Sequence, residues 1–410
     1  MPRVPRLLLP LACLLIAACA PTAEDFVGTW RGVMPIEGGD LPFGLEIELQ
    51  DGQPVAWLVN GPERARVSEV DIEDGQIRMR MPGYPHRLEA TLSGATLEGT
   101  ITFLRPQGAR ITAPFLAQKG LDWRFFPPAE ADAADFSGRW AITFIDPTNG
   151  QETSGIAELT QTGTTVTGTV LRTTGDDRYI AGEARGDSVF LSRFDGGSAY
   201  LYVARLTPEG ALEGEFRSGV GAYRILSGRR DDAASLADAS TLTRLREDAP
   251  PLAFSFPDPS GKELSLDDPR FADKVVIVTI GGTWCPNCHD EAAFLRDFLP
   301  GRRERGLEVV QLLFEYHTEF DASAAAAREF IAEFAIDYPV LIAGSYEAGA
   351  VQQALPQLDN FVAYPTMLVL DRQRRIVYTH TGFSGPATGR HYEEFVAEFS
   401  TLVDGLLAGS

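Results

Sequence analysis

The first half of the chain alternates between apolar and polar residues over short segments, which are separated by glycine and Asn/Asp turns. After the stretch DFVGTWRG, which begins at Asp25, these segments include LEIELQDGQ, DGQIRMRM and ATLEGTITF. A second stretch, DFSGRWAI, begins at Asp135 and precedes similar segments, among them AELTQTGTTVTGTVL, GDSVFLSRF and ALEGEF. Alternation with a period of two is typical of antiparallel strands with one buried face. The repeat therefore predicts two similar all-β domains, barrels or sandwiches, at residues 24–120 and 134–230.

A Gly-x-Trp sequence opens each copy of the repeat and resembles the first strand of lipocalin-like barrels. Its tryptophans are Trp30 and Trp140. We expect both indoles to pack at the end of a core rather than to contact a ligand, because burial is the main contribution of a large aromatic side chain.

The pattern changes after residue 230. A polar, Ala-rich linker with a short helix is predicted at 231–250. The run KVVIVTI (274–280) is continuously apolar and β-branched, as expected for a strand that is buried on both faces of a sheet. Further apolar strands then alternate with amphipathic helical patterns, and a hairpin and a last helix close the chain. The predicted fold of residues 251–410 is an α/β domain with a mixed sheet.

The N-terminal residues have the layout of a secretory signal. Arg3 and Arg6 precede an apolar run that is too short for a membrane-spanning helix and ends in small residues. The stretch IAAC resembles the lipobox of bacterial lipoproteins, which implies cleavage of residues 1–18 and attachment of lipid at Cys19. The alternative is an ordinary signal that is cut nearby, which would leave an unmodified thiol at Cys19.

Composition narrows the possible partners. The formal net charge is −21 and the sequence has no large basic cluster, which argues against nucleic acid as a partner.

The chain has four cysteines. With cleavage at the lipobox, Cys13 would leave with the signal and Cys19 would carry lipid, which leaves Cys285 and Cys288 as the one unmodified pair. A disulfide between residues this close constrains only a tiny loop, so the pair indicates chemistry rather than stabilisation.

The pair lies in GGTWCPNCHDEAAFL (281–295), and its C-x-x-C-H pattern has two incompatible interpretations. One is attachment of c-type haem with His289 as the iron ligand, and the other is a redox-active dithiol. Haem is disfavoured because the motif directly follows a buried strand. A structural zinc site is disfavoured because it needs four protein ligands. The sequence therefore favours the dithiol and predicts neither a metal nor another cofactor.

A strand, a tight loop and then a helix would place Cys285 at a helix N-terminus. There the positive end of the helix dipole favours the thiolate, which is the attacking species. Cys288 would lie one turn into the helix, partly covered, where it can break a mixed disulfide. We expect Trp284 to pack beside the pair, and Pro286 suits the first turn because its missing N–H would have no partner there.

From APPLAFSFPDPSGKELSL to the C terminus, the chain resembles the extracytoplasmic TlpA/ResA-type disulfide reductases of the thioredoxin-like superfamily. The stretch VVIVTIGGTWCPNCHDEAAFL is similar to their strand, active site and first helix. The resemblance implies that Cys285 is the nucleophile, Cys288 the resolving thiol and Pro365 in AYPTMLVLD the cis-proline. Tyr364, which precedes that proline, would offer backbone hydrogen bonds to an incoming peptide.

Several polar residues near the pair have more than one interpretation. Thioredoxin has a buried Asp where this chain has Thr279, so another group must accept the proton of the resolving thiol. Glu291 resembles an acid of the TlpA/ResA branch, with an exposed helix charge as the alternative, and Glu315 could also reach the site. We expect His289 to be a surface or packing residue, although a nearby imidazolium would stabilise a thiolate.

The predicted function is that of a lipid-tethered, extracytoplasmic thiol–disulfide oxidoreductase that acts on disulfide-containing proteins. The resemblance favours reduction, and the neutral Asn287 gives no reason for a strongly oxidising potential. Such a reductase needs an electron donor, which we expect to be a membrane thiol carrier. The alternative is an envelope binding or docking lipoprotein whose β-domains capture a ligand or partner, with the thioredoxin-like part as a minor redox module.

Overall fold

The structure is a computed structural model of the 410-residue chain. It describes residues 21–105, 108–127, 132–219, 221–247 and 250–409, so the predicted signal and Cys19 lie outside the described residues. Within these ranges, no helix is long and apolar enough to cross a membrane. Two antiparallel sheets precede an α/β unit, which confirms the predicted fold class.

The first unit is a nine-stranded antiparallel sheet that follows a short helix, α1 (Ala23–Phe26). Each strand pairs with its neighbours in sequence, except that β1 pairs with β9 while β4 and β5 form the two edges. The sheet is therefore open between β4 and β5. Its strands are β1 (Gly28–Ile36), β2 (Gly39–Gln50), β3 (Gln53–Asn60), β4 (Glu63–Arg66), β5 (Glu69–Glu73), β6 (Gln76–Arg80), β7 (Arg87–Ser93), β8 (Thr96–Leu104) and β9 (Arg110–Lys119).

The second unit has a similar order of strands but closes into a barrel. Strand β12 pairs with both β11 and β14, which leaves no gap like that between β4 and β5, and the short β13 adds to β12 alone. The strands are β10 (Gly138–Ile145), β11 (Glu152–Thr162), β12 (Thr165–Arg172), β13 (Gly175–Asp176), β14 (Ile180–Arg185), β15 (Ser188–Phe194), β16 (Ala199–Leu206), β17 (Leu212–Ser218) and β18 (Ala222–Arg230).

The Gly-x-Trp repeat forms the same local structure in both β units. Trp30 Nε1 donates to the carbonyl oxygen of Phe26 at 2.8 Å, and Trp140 Nε1 donates to that of Phe136 at 2.9 Å. Both indoles are fully buried in apolar cores, as the repeat predicts. Each repeat thus fixes its first strand through one indole that packs inward and donates back to the preceding turn.

The two β units share side chains. Phe194, Ala199 and Leu201 of the second unit belong to the core of the first, and the Phe194 ring lies 4.6 Å from that of Phe43. The buried Asn60 side chain completes the contact, since its amide donates to Phe194 O at 2.9 Å and accepts from Phe194 N at 3.1 Å. The open first sheet is therefore completed by the second unit.

The C-terminal unit has a five-stranded sheet in the order β24-β23-β22-β26-β27, with three parallel strands and two antiparallel strands at one side. A 3₁₀ turn at Ala239–Thr241 occupies the predicted linker. The strands are β19 (Arg244–Leu245), β20 (Ser255–Pro257), β21 (Glu263–Ser265), β22 (Val275–Gly281), β23 (Leu307–Glu315), β24 (Val340–Ser345), β25 (Leu358–Asn360), β26 (Thr366–Leu370) and β27 (Ile376–Thr381). The helices are α2 (Pro286–Phe298), α3 (Pro300–Arg303), α4 (Phe320–Glu333), α5 (Ala350–Ala354) and α6 (Arg390–Ala408).

Strand β22 is buried along its whole length. Val275 and Ile277 pack in the core that contains side chains of α2, α4 and α6, whereas Val276 and Val278 pack in the core on the other face. Burial on both faces explains the unbroken apolar run in the sequence. It also fixes the end of β22, from which the chain passes into α2.

We expect Asn60→Ala to lower the free energy of unfolding by about 2 kcal/mol, because the buried N–H and C=O of Phe194 lose their partner. Urea unfolding followed by tryptophan fluorescence measures the change. Asn149, which accepts one hydrogen bond in an exposed turn, provides the matched control, and Asn149→Ala should cost less than about 1 kcal/mol. Equal losses in the two variants would contradict the proposed role of Asn60.

Candidate active site

The two cysteines lie at the junction between the end of β22 and the start of α2. Cys285 is the N-cap of α2 and Pro286 is its first residue, as expected from the sequence. The two residues are joined by a disulfide, with their Cα atoms 5.2 Å apart. The backbone N–H of Cys288 donates to Cys285 Sγ at 3.2 Å. A helix N-terminus with an N–H directed at the sulfur favours negative charge on Cys285 when the disulfide is open.

Pro365 lies at the same edge of the sheet. The Tyr364–Pro365 peptide bond is cis. Strand β26 begins at Thr366, which pairs with Ile280 of β22. Pro365 therefore lies beside the end of β22, where the segment that carries the cysteines (residues 282–288, the dithiol loop) begins. The backbone N–H of Gly382 donates to Pro365 O at 2.7 Å. The structure thus brings the dithiol and this proline together.

Aromatic rings surround the dithiol loop. The ring centroid of Trp284 lies 4.9 Å from that of Tyr316, 4.4 Å from that of Tyr346 and 5.3 Å from that of Tyr364. Trp284 Nε1 donates to the carbonyl oxygen of Phe314 at 2.9 Å, which fixes the indole over the end of β23. The loop therefore has an apolar wall, and the exposed Tyr346 extends that wall to the surface.

Glu315 holds the loop that carries the cysteines. Its carboxylate accepts from the backbone N–H of Thr283 at 2.9 Å and from the Thr283 hydroxyl at 2.7 Å. Burial raises the pKa of Glu315 to about 7, and the two hydrogen bonds from Thr283 oppose that rise. Glu315 therefore acts on the loop through Thr283, a residue that the sequence analysis did not select.

Glu291 is buried, so the alternative of an exposed helix charge is wrong. The Thr279 hydroxyl donates to Glu291 Oε2, and this is how the position that is Asp in thioredoxin takes part in the site. Burial raises the pKa of Glu291 to about 8, and the hydrogen bond from Thr279 opposes that rise. Glu291 thus holds a proton at neutral pH, one helical turn after the second cysteine.

The C-terminal unit is similar to a known family and to known proteins. A family model described as Redoxin matches residues 246–394. Thiol-disulfide oxidoreductase ResA of Bacillus thuringiensis subsp. konkukian (strain 97-27) is 24% identical over 147 residues, which cover 36% of this chain and 75% of that protein. The C-terminal unit is a thioredoxin-like domain of the TlpA/ResA type. This confirms the family that the sequence predicts.

Other relatives match a similar share of the chain. ResA of Bacillus anthracis is 25% identical over 130 residues, covering 30% of this chain and 63% of that protein. Among solved structures, a thiol:disulfide interchange protein of the thioredoxin family from Chlorobium tepidum TLS is 22% identical, with a TM-score of 0.30. It covers 39% of this chain and 99% of its own.

A polar side chain of the thioredoxin-like domain lies behind the disulfide. Gln311, in the middle of β23, is fully buried, and neither its Oε1 nor its Nε2 has a hydrogen-bond partner among the described residues. Its Nε2 and Cys288 Sγ each lie 3.3 Å from the point where a Cβ on Gly281 would stand. Because Gly281 has no side chain, a small space remains between the Gln311 amide and the Cys288 sulfur. The signal in the sequence was one glutamine in the apolar run LEVVQLLF.

His289 is a packing residue. Its ring lies 4.6 Å from that of Tyr84 and 4.8 Å from that of Phe334, and its Nε2 is 2.7 Å from Thr283 O. Burial lowers the pKa of His289 to about 4, so the ring is neutral at neutral pH and provides no imidazolium for a thiolate. The ring is enclosed among the side chains of Tyr84, Phe330 and Phe334, as expected for a packing residue.

The dithiol loop also contacts the second β unit, which the sequence analysis missed. Asn287 Nδ2 donates to the carbonyl oxygens of Asp176 at 3.2 Å and Phe383 at 2.9 Å. The backbone N–H of Gly385 donates to Asp176 Oδ2 at 2.6 Å. Burial and the nearby Asp290 raise the pKa of Asp176 to about 7. Residue 176 is far from the motif in sequence, and no local pattern marks it.

The charged side chains near the site form ion pairs rather than a metal centre. Arg178 pairs with Glu63 at 2.9 Å, with Asp290 at 3.3 Å and with Asp195 at 3.5 Å, which links all three units. In the part of the chain that the structure describes, no group of three or more His, Cys, Asp or Glu side chains could hold a metal ion.

We expect Glu291→Gln to make stability less dependent on pH. The folded-state pKa of Glu291, about 8, exceeds its ordinary value of 4.5. Its contribution to stability is therefore complete below pH 4.5 and is lost as the pH rises through 8. Since one pKa unit corresponds to about 1.4 kcal/mol, the wild type should lose a few kcal/mol relative to the variant over this window. Urea unfolding at a series of pH values measures the difference.

The exposed Glu398 of α6 supplies the matched control. Glu398→Gln should follow the wild-type pH profile. A Glu291→Gln profile parallel to that of the wild type would show that Glu291 does not hold its proton in the folded protein.

Proposed function

We propose that this protein is an extracytoplasmic thiol–disulfide oxidoreductase, tethered to a membrane by lipid on Cys19, that reduces disulfides in substrate proteins. The observation that carries the proposal is the Cys285–Cys288 disulfide at the N-terminus of α2, beside the cis peptide bond of Pro365. Relatives of the thioredoxin-like domain named thiol-disulfide oxidoreductase support the same reaction class.

The reaction begins with both cysteines reduced. The Cys285 thiolate attacks one sulfur of a substrate disulfide, and the other substrate sulfur leaves as a thiolate. Cys288 loses its proton and attacks Cys285 Sγ, which breaks the mixed disulfide and releases the second substrate thiolate. The substrate gains two electrons, and the protein is left with the disulfide that the structure contains.

Neighbouring residues have separate roles in this scheme. Glu291 is the proposed relay for the Cys288 proton, supported by its burial one turn along the same helix. Because its pKa is raised to about 8, it accepts the proton only in its ionised form, whose share grows as the pH rises towards 8. Glu315 positions the loop, and Trp284 shields the sulfurs from water. Tyr364, before the cis-proline, offers its backbone to the substrate chain.

The two residues between the cysteines also contribute. Pro286 occupies the first position of α2, where an N–H would have no partner in the helix. Asn287 is neutral, so it adds no positive charge that would stabilise the thiolate and make the protein a strong oxidant. This supports the reducing direction, together with the resemblance to TlpA/ResA-type reductases. Repeated turnover then needs a membrane thiol carrier as the electron donor.

We expect Cys285→Ser to abolish reduction of insulin, because the attacking sulfur is lost. Cys288→Ser should instead accumulate a mixed disulfide with the substrate, since the first step proceeds and the second does not. Insulin turbidity and non-reducing electrophoresis measure the two outcomes. The matched pair is decisive, because a Cys285→Ser variant with wild-type turnover would overturn the reaction scheme.

The reduction potential of the pair tests the direction of the reaction. A value near thioredoxin's, about −270 mV, is expected for a reductant, and one near about −120 mV would show an oxidant. Equilibration with glutathione or dithiothreitol followed by alkylation gives the potential.

We expect Cys19→Ser to move the protein from the membrane fraction to the soluble fraction, because the residue that carries lipid is lost. Cys13→Ser is the matched control, since Cys13 leaves with the signal, and it should keep the membrane location. Fractionation and the mass of the mature N terminus measure the outcome. Membrane association that survives in Cys19→Ser would contradict the lipid anchor.

A further inference from the structure

A turn of the second β unit lies against the dithiol loop. The turn is Thr173–Asp176, which comprises the two residues that follow β12 and the two residues of β13. The Asp176 carbonyl oxygen accepts from Asn287 Nδ2 at 3.2 Å, and its carboxylate accepts from the Gly385 N–H at 2.6 Å. One residue of the turn thus contacts both the dithiol loop and the loop that follows β27.

The loop after β27 connects the turn to the cis-proline. Gly382 N donates to Pro365 O at 2.7 Å. A Cβ on Gly382 would stand 2.5 Å from the carbonyl carbon of Thr174 and 2.9 Å from Gly175 N. The turn therefore packs against the residue whose N–H donates to the cis-proline.

Two glycines allow this close approach. A Cβ on Gly175, whose φ is +140°, would stand 2.5 Å from Asn287 Nδ2 and 2.8 Å from Phe383 O. Gly382, at φ +81°, lies opposite Gly175 in the loop that follows β27. Because neither position has a side chain, the backbone of the turn and the backbone of the loop meet directly. The two backbones are therefore in close contact, which a side chain at either position would prevent.

Buried charge anchors the turn beside the site. Asp176 is 4% exposed. Two residues later, Arg178 pairs with Asp290 of α2 at 3.3 Å. The same guanidinium pairs with Glu63 of the first unit at 2.9 Å. The turn is thus held to the helix that carries the cysteines, and Cys285 itself is only 4% exposed.

A substrate polypeptide needs the space beside the dithiol loop that the turn occupies. In a mixed disulfide, the Cα of the substrate cysteine lies within about 7 Å of the Cα of Cys285. The substrate backbone must therefore pass close to the dithiol loop, where Asp176 now accepts a hydrogen bond from Asn287. An extended substrate segment and the turn would compete for this face.

Building on the proposed function, we propose that Thr173–Asp176 is an intramolecular cap on the substrate-binding face of the thioredoxin-like domain. The segment occupies the place beside the dithiol that a substrate polypeptide takes, and the substrate must displace it before a mixed disulfide forms. The second β unit is thereby part of the site, and it selects for polypeptides that compete with the cap.

The full-length protein with an Asp176→Ala substitution tests the cap, because the variant loses the acceptor for the Gly385 N–H. Reduction of insulin by the pre-reduced protein should become about tenfold faster, a change that corresponds to about 1.4 kcal/mol. Reduction of the small disulfide of Ellman's reagent, which brings no polypeptide to the face, should change less than insulin reduction. Asp187→Ala, at an exposed turn of the same unit, is the matched control and should change neither rate.

Each result decides between distinct conclusions. A folded Asp176→Ala variant with an unchanged insulin rate overturns the cap. Equal acceleration of both substrates also overturns it, because the substitution then acts on the dithiol itself. A wild-type protein that reduces neither disulfide refutes the proposed function, and the cap with it.

A second measurement does not depend on folding of the Asp176 variant. Full-length Cys288→Ser is trapped as a mixed disulfide with an extended cysteine peptide, and hydrogen–deuterium exchange is compared before and after trapping. Amides of the turn and of Gly385 should exchange faster in the trapped protein, while those of β15 and β16 stay protected. Unchanged protection of the turn would show that substrate does not displace it.

Discussion

The hydrogen bond from the Cys288 N–H to Cys285 Sγ depends on where α2 begins, and the burial of β22 fixes that point. Strand β22 packs alternate side chains into two different cores and pairs with a strand on each edge, so sliding it would disrupt close packing on both faces. The end of the strand therefore has one position. The loop, the N-cap and the cis-proline opposite are all placed relative to it.

The parts of the site that follow from local sequence were predictable. The apolar run before the motif, the proline at position 286 and the spacing of the cysteines each report a strand end or a helix start. The burial of Glu291 was not predictable, because a glutamate in a helix resembles a surface residue until its partner on a neighbouring strand is known. The contact of Asp176 with Asn287 joins distant positions, and periodicity carries no information about such contacts.

The β units were predictable as sheets and as a repeat, but the difference between them was not. Alternation identifies strands, and the two copies have nearly the same pattern. Whether the sheet closes depends on pairing in the middle of the repeat, which β12 and β14 make and β4 and β5 do not, and on what fills the interior. In this chain Phe194 enters the first core while the second unit closes on itself. The same dependence on distant partners explains the carboxyls near the dithiol, whose pKa values rise because other elements bury them.

The shared core has a consequence for biosynthesis. The ribosome produces the first sheet well before Phe194, Ala199 and Leu201, which complete its interior. During translation, the nascent N-terminal sheet therefore carries an unfilled apolar cleft and two unpaired strand edges at β4 and β5. Nascent chains in this condition are prone to aggregate. A holdase chaperone that covers the cleft until the barrel strands emerge would protect this stage of maturation.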